Sequence, residues 1–182
     1  MPQVEIFTPD GVVAGGTTRP TLGSDNRGAP SILRVDGSRW YPLDGSAPER
    51  RGSVSVSADD QLVVVVPPPA FAVHSSLYPV ELEVGPYHLE GRLPTLPGFD
   101  PGRALARPNG PFVGLREVTI SLIGKSGAGS AKRAYALVNR YAVERVVSGL
   151  MLSFFFPGAA AEVLDEHPAV GGPPLVGKPA TA

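Results

Sequence analysis

The sequence predicts an all-β protein made of two tandem modules. Short apolar segments recur along the chain and no long helical pattern interrupts them. Glycine and proline are abundant, with 22 and 21 residues, which favours short strands joined by turns. The chain has 182 residues and is 42% hydrophobic, which is sufficient for a core. We therefore expect many strands and one short helical turn, near GRALAR at 102–107.

Five segments carry the clearest strand patterns. They combine β-branched or aromatic residues with alternating or continuous apolar positions, and clusters such as PPP at 67–69 separate them. The segments are SVSVS at 53–57, LVVVV at 62–66, VELEV at 80–84, VTISLI at 118–123 and LMLSFFF at 150–156.

Comparison of the chain with itself indicates an internal duplication. VEIFTPDGVVAG at 4–15 and VELEVGPYHLEG at 80–91 both begin Val-Glu-apolar and reach a glycine eleven residues later. Two further landmarks keep the same order: WYPL at 40–43 over FVGL at 112–115, and Val66 over Val138. In this alignment ADDQ, 58–61, corresponds to the longer loop GKSGAGSAKR.

The duplication divides the chain into two modules and a tail. We predict a first β-module at 1–76 and a second at 77–156, each with about five short strands. A module of about 75 residues buries little surface alone, so we expect the two to pack as one unit. Residues 157–182 are rich in proline, glycine and alanine without apolar periodicity, which predicts a disordered tail.

Composition excludes several classes of site. The chain has no cysteine and three histidines, so disulfides, zinc-thiolate sites and iron-sulfur clusters are excluded, and we expect no metal and no cofactor. The N-terminus MPQVEIFTPDG lacks the pattern of a signal peptide, and no apolar run is long enough to span a bilayer. We therefore expect a cytoplasmic protein without a membrane partner.

The segment TISLIGKSGAGSAKR at 119–133 resembles a phosphate-binding loop but lacks its essential parts. Such a loop needs a glycine five residues before Gly-Lys-Ser and a helix after it. Thr119 occupies the glycine position, and the following AYALVNRYAV has the pattern of a strand. The segment is therefore predicted to be a hairpin connection.

No catalytic constellation stands out. His74 and His88 lie in strand-like segments without the spacing of known catalytic motifs. Asp59 and Asp60 are adjacent, so on a strand they would point to opposite faces, and ADDQ is more typical of a turn. We therefore expect a protein that is not an enzyme.

The second module is mildly basic, with nine basic and six acidic residues at 77–156. Exposed cations beside aromatic side chains are typical of single-stranded nucleic-acid sites. The candidate ligand-binding residues in this module are Asn139, Arg140, Tyr141, Lys132, Arg133 and Arg145. Arg39-Trp40-Tyr41 in the first module is a similar cluster, although Trp40 and Phe112 are also candidates for core anchors.

The second module resembles the Sm-like family. The segments VELEVGPYHLEGRLPTLPG, FVGLREVTISL and ALVNRYAV are similar to the family's first strand, returning strand and final apolar-Asn-Arg-apolar box. More specifically, they resemble uncharacterised bacterial Sm-like domains. The resemblance implies a small, strongly bent five-stranded antiparallel sheet or barrel that often assembles into rings through strand edges, in a group that commonly binds RNA.

Two functional hypotheses follow. The first is a non-enzymatic β-module protein that acts through self-assembly or by binding a protein partner, for example three chains forming a ring of six modules. The alternative is binding of single-stranded RNA or a nucleotide by the basic second module. The expected partner is therefore the chain itself or another protein, with RNA as the alternative.

Overall fold

A computed structural model describes residues 1–18, 32–69, 76–95, 110–125 and 129–164. These residues contain strands and no helix, which confirms the all-β prediction. GRALAR lies outside the described residues. The strands are β1 (Gln3–Thr8), β2 (Gly11–Gly16), β3 (Ile32–Pro42), β4 (Glu49–Arg50), β5 (Ser53–Ser57), β6 (Val63–Val65), β7 (Ser76–Val84), β8 (Tyr87–Thr95), β9 (Phe112–Leu122), β10 (Ala131–Asn139), β11 (Val143–Ser148) and β12 (Ala160–Val163).

All of these strands belong to one mixed sheet that does not close on itself. Its order is β12-β11-β7-β8-β9-β10-β6-β1-β2-β3-β4, and β5 also pairs with β3. Neighbouring strands are antiparallel except β11 and β12, which are parallel. We expected two sheets packed together, whereas the structure joins both halves of the chain through the pairing of β10 with β6.

The two halves of the sheet have the same strand order. In the first half the order is β6-β1-β2-β3-β5, and in the second it is β11-β7-β8-β9-β10. Among these five strands of each half, the last along the chain therefore pairs with the first: β6 with β1, and β11 with β7. The fourth pairs with the third: β5 with β3, and β10 with β9. The short strand β4 precedes β5 beside the same partner, and β12 lies outside β11.

A bulge lies at the same place in both halves. Gly15 pairs with Val4 and Gly91 pairs with Val80, so the sequence landmarks occupy equivalent positions. At each glycine the pairing with the next strand shifts its register. The partner strand has a residue of positive φ there, Gly37 in β3 and Glu117 in β9. An extra residue in one strand is the usual cause of such a shift.

The other two landmarks of the sequence alignment are wrong in register. WYPL lies at the end of β3, after its bulge, whereas FVGL begins β9, before the bulge of that strand. Val138 lies in β10, the fourth strand of its half, whereas Val66 directly follows β6, the fifth strand. Both Phe112 and Trp40 nevertheless pack in one core, Phe112 buried and Trp40 partly buried.

Two predictions near the C-terminus are also corrected. LMLSFFF does not form a strand: the amides of Phe155 and Phe156 donate to the carbonyl of Leu152, which makes a turn. Leu152 and Phe156 are buried, so the apolar run closes a core without extending the sheet. The predicted disordered tail begins at 157, yet Ala160–Val163 forms β12, and 165–182 lie outside the described residues.

Two hydrophobic cores lie on opposite faces of the sheet and share the strands at its centre. One core contains mainly second-half residues together with Phe7, Leu62 and Val63. The other contains mainly first-half residues together with Phe112, Tyr135 and Leu137. Successive side chains of a strand point to opposite faces, so β6 and β10 contribute to both cores. The two halves are therefore one packing unit.

Polar contacts also connect the halves. The buried hydroxyl of Tyr87 donates to the carbonyls of Thr8 (2.8 Å) and Gly11 (3.2 Å), and burial raises the pKa of this phenol. Arg133 in β10 forms two hydrogen bonds to Glu5 in β1, at 2.7 and 2.9 Å. These bonds raise the pKa of the Arg133 guanidinium. They reinforce the apolar contacts where the halves meet.

The segment TISLIGKSGAGSAKR connects two antiparallel neighbours. β9 ends at Leu122 and β10 begins at Ala131, and Lys132 pairs with Thr119. The prediction of a hairpin connection therefore agrees with the strand pairing. Its Lys125 donates to the carbonyl of Leu43 in the first half at 2.8 Å.

Replacing Gly15 by alanine should destabilise the protein. A Cβ at this position would lie 2.7 Å from a methyl group of Val35 and 2.9 Å from the carbonyl oxygen of Asp36. Because one of these neighbours is backbone, we expect the free energy of unfolding to fall by roughly 1–3 kcal/mol. Urea denaturation measures it. Gly52→Ala is the control, since no atom lies within 4 Å of its added Cβ; equal stability of both variants would contradict the close packing at the bulge.

Candidate binding edge

One border of the sheet is an outer strand whose second side has no strand partner within the described residues. β4 and β5 both pair with β3, and the residues between them continue this pairing: the Arg51 amide donates to the carbonyl of Ser38, and the Ser38 amide donates to the carbonyl of Gly52. We call residues 49–57 the β4–β5 edge. Backbone groups on the outer side of such a strand are available to another extended chain.

The bulge in β3 determines which side chains face outward beside this edge. Before the bulge Leu33 and Val35 point into a core, and after it Ser38 is buried and Trp40 packs against the same core. Without the extra residue at Gly37, the alternation that buries Val35 would also direct Arg39 inward. The bulge therefore turns Arg39 to the opposite face, where it is exposed.

Arg39 lies directly opposite Arg50 of β4. Side chains at directly opposed positions share a face, with Cβ atoms about 4.5–5.5 Å apart. Both arginines are exposed, and neither side chain makes an ion pair or hydrogen bond with any described residue. The two guanidinium groups therefore concentrate positive charge at this point of the surface, and like charges in directly opposed positions repel each other.

The acidic residues of β3 and β4, Asp36 and Glu49, bond other side chains. Asp36 accepts a hydrogen bond from Arg34 at 3.1 Å, and hydrogen bonds from Ser53 and Arg34 lower the pKa of its carboxyl group. Glu49 accepts two hydrogen bonds from Arg51, at 3.0 and 3.2 Å. The guanidinium of Arg51 also lies 5.0 Å from the ring centre of Trp40. Among the residues that the structure describes, no carboxylate forms an ion pair with Arg39 or Arg50.

The predicted ligand residues at the β10–β11 turn are engaged within the protein. Arg140 is only 6% exposed and donates to the carbonyl of Phe154 at 2.7 Å. Asn139 is buried, and its side chain bonds the carbonyl of Ala58 and the amide of Tyr141. Tyr141 is 64% exposed, with the Arg140 guanidinium 5.4 Å from its ring centre. Most of this cluster stabilises the turn.

The other three predicted residues do not join that cluster. Arg133 is paired with Glu5, and Arg145 bonds Glu83 and Glu162 at 3.0 and 2.6 Å. Lys132 is exposed near the start of β10. It is seven residues from Asn139 along the strand, a separation of about 23 Å. The six residues therefore do not form one surface around a common ligand.

Sequence reasoning missed Arg50, the partner of Arg39. The sequence marks Arg39-Trp40-Tyr41 as a cluster, but nothing in it specifies that Arg50 stands opposite Arg39. That register depends on the bulge and on the turn that joins β3 to β4. The sequence clue to this pairing is ERRG at 49–52: it contains two arginines and follows a turn, so the chain can return there beside β3.

The described residues do not assemble a catalytic group. A cleft of about 230 Å³ between β7, β8 and β11 is lined by the carboxylates of Glu81 and Glu90 and by Ser148. The Ser148 hydroxyl is engaged with the carbonyl of Pro79 and the amide of Leu150. His88 lies 3.7 Å from the carboxylate of Glu90, and His74 is outside the described residues.

No protein-family model, curated protein or solved structure matches this chain. Within the described ranges, no three acidic or histidine side chains are grouped so that they could hold a metal ion. No helix in the same ranges has the length and apolar character needed to cross a membrane.

Removing one member of the arginine pair should stabilise the protein slightly. In Arg39→Gln the repulsion between the two guanidinium groups is lost, so we expect the free energy of unfolding to rise by about 0.3 kcal/mol at low ionic strength. The gain should vanish in high salt, which screens exposed charges. Arg34→Gln is the matched control on the same strand, because it removes a charge that is paired with Asp36. A gain of equal size in both variants would argue against repulsion at the pair.

Proposed function

We propose that this chain is a non-enzymatic tandem β-module protein that binds another polypeptide. An extended segment of the partner would pair with the β4–β5 edge and add one strand to the sheet. The observation that carries the proposal is the edge itself, a nine-residue segment at 49–57 paired on one side only within the described part of the chain. Strand addition draws its affinity from main-chain hydrogen bonds, which such an edge offers.

The Sm-like relationship belongs to the same proposal. Its support is the common order of five antiparallel strands in both halves and the equivalent bulges opposite Gly15 and Gly91. A further support is the way the halves join, since β10 and β6 pair edge to edge. Edge pairing is the mode of assembly that the family resemblance implies.

Two features favour a separate partner over a ring of identical chains. The edge of β11, which is the equivalent of β6, is already covered by β12. At the other border β5 alternates valine with exposed Ser53 and Ser55, so its second face is polar. The pairing of β6 with β10, by contrast, has buried apolar side chains on both faces of the sheet. If β5 of one chain paired with a strand of a second chain, one of these two apolar layers would be missing.

RNA binding has less support than strand addition. Four of the six predicted residues, Asn139, Arg140, Arg133 and Arg145, already bond other protein groups. Arg140 is also almost fully buried. Stacking platforms for bases need exposed aromatic rings close together, and in this cluster Tyr141 alone is well exposed.

Binding of a neutral strand-forming peptide tests the proposal. Because main-chain pairing tolerates many sequences, Thr-Val-Gln-Val-Gln-Val-Thr should bind the wild-type chain in fluorescence anisotropy. The Ser55→Lys variant should bind it about tenfold more weakly, since an edge lysine opposes strand pairing. A peptide that is N-methylated at alternate residues should not bind, because the methyl groups replace the N–H donors along one side of the peptide strand.

The control variant is Ser130→Lys, which adds the same charge at an exposed position just before β10. It should bind the peptide like the wild type. Equal binding by Ser55→Lys, or undiminished binding of the N-methylated peptide, would contradict strand addition at the β4–β5 edge.

A further inference from the structure

We infer that the partner strand carries an acidic side chain, which Arg39 and Arg50 recognise together. This inference rests on the proposed function, since it specifies the chemistry of the polypeptide that pairs with the β4–β5 edge. It assigns a role to an arginine pair that the fold otherwise leaves repulsive.

The geometry of strand pairing places the acidic residue. A strand added outside β4 would put one residue directly opposite Arg50, on the same face and with a Cβ separation of about 4.5–5.5 Å. Arg39 lies one strand further in, at the opposed position on β3. Both arginines have long side chains, so their guanidinium groups can converge on one carboxylate. Charge-assisted hydrogen bonds to arginine are stronger than neutral ones.

The arginine pair differs from the other arginines of the described sequence. Arg34, Arg51, Arg92, Arg133 and Arg145 form ion pairs, Arg140 bonds a carbonyl, and Arg116 has an interaction of its own. Arg39 and Arg50 have no such contact with a described residue, and they lie on two paired strands at the border of the sheet. An external anion would relieve their repulsion.

The surroundings favour a peptide over a nucleic acid. On the face of the arginine pair the nearest exposed ring is Tyr41, which is 38% exposed. Trp40 is on the other face, where it packs on Gly11 and under Arg51. The pair therefore lacks the set of neighbouring rings on which successive bases stack. The adjoining backbone, by contrast, offers the hydrogen bonds that an extended peptide needs.

The test compares an acidic peptide with its amide analogue. Thr-Val-Glu-Val-Glu-Val-Thr should bind the wild-type chain about tenfold more tightly than Thr-Val-Gln-Val-Gln-Val-Thr, and this preference should shrink as salt rises. In Arg39→Gln/Arg50→Gln the preference should disappear while the amide peptide binds as before. The control Arg34→Gln/Arg92→Gln removes the same number of charges from exposed, ion-paired positions and should keep the preference.

The outcomes separate this inference from the function on which it rests. If the wild type binds both peptides equally and Ser55→Lys still weakens both, strand addition stands and acidic recognition is overturned. If neither peptide binds, the proposed function fails as well. An oligouridylate that binds through Arg39 and Arg50 while the acidic peptide does not would overturn the inference in favour of nucleic acid.

Discussion

The pairing of β6 with β10 is the contact on which the rest of the structure depends. Only three residue pairs join these strands, from Val63–Val138 to Val65–Ala136. Their side chains nevertheless belong to two cores, one on each face of the sheet. Burial of both faces excludes water from the joint, so a short backbone ladder is stabilised by much more apolar surface than its length suggests. Neither half has a complete core without strands from the other.

The borders of the sheet differ from its centre because no border strand has buried apolar side chains on both faces, whereas the central strands β6 and β10 have them on both. At one border β12 covers β11 and is tied to it by the ion pair of Arg145 with Glu162. At the other, serine alternates with valine in β5, and the bulge at Gly37 turns Arg39 outward beside Arg50. The same bulge that lets β3 follow the core thus creates a charged, one-sided edge. The shape of the sheet and the proposed binding edge therefore have a common cause.

The sequence predicted the strand-rich architecture and the first duplicated landmark, because alternation and the glycines are local signals. The continuous apolar run LVVVV at 62–66 also contained evidence of burial on both faces, which is typical of central strands. The register shift after Gly37 was hidden, and with it the meeting of Arg39 and Arg50. The burial of Arg140 was hidden too, because its hydrogen-bond partner, the carbonyl of Phe154, lies 14 residues away and is placed only by the folded chain.

Hydrogen exchange followed by mass spectrometry tests most directly whether the β6–β10 pairing is closed while the β4–β5 edge is open. In the free protein the amides of β6 and β10 should be among the slowest to exchange, since they open only when both cores open. The outward amides of residues 49–57 should exchange quickly and become protected when the acidic strand peptide is added. Protection of the β4–β5 edge equal to that of β10 in the free chain, or no change on adding peptide, would contradict a free edge that receives a partner strand.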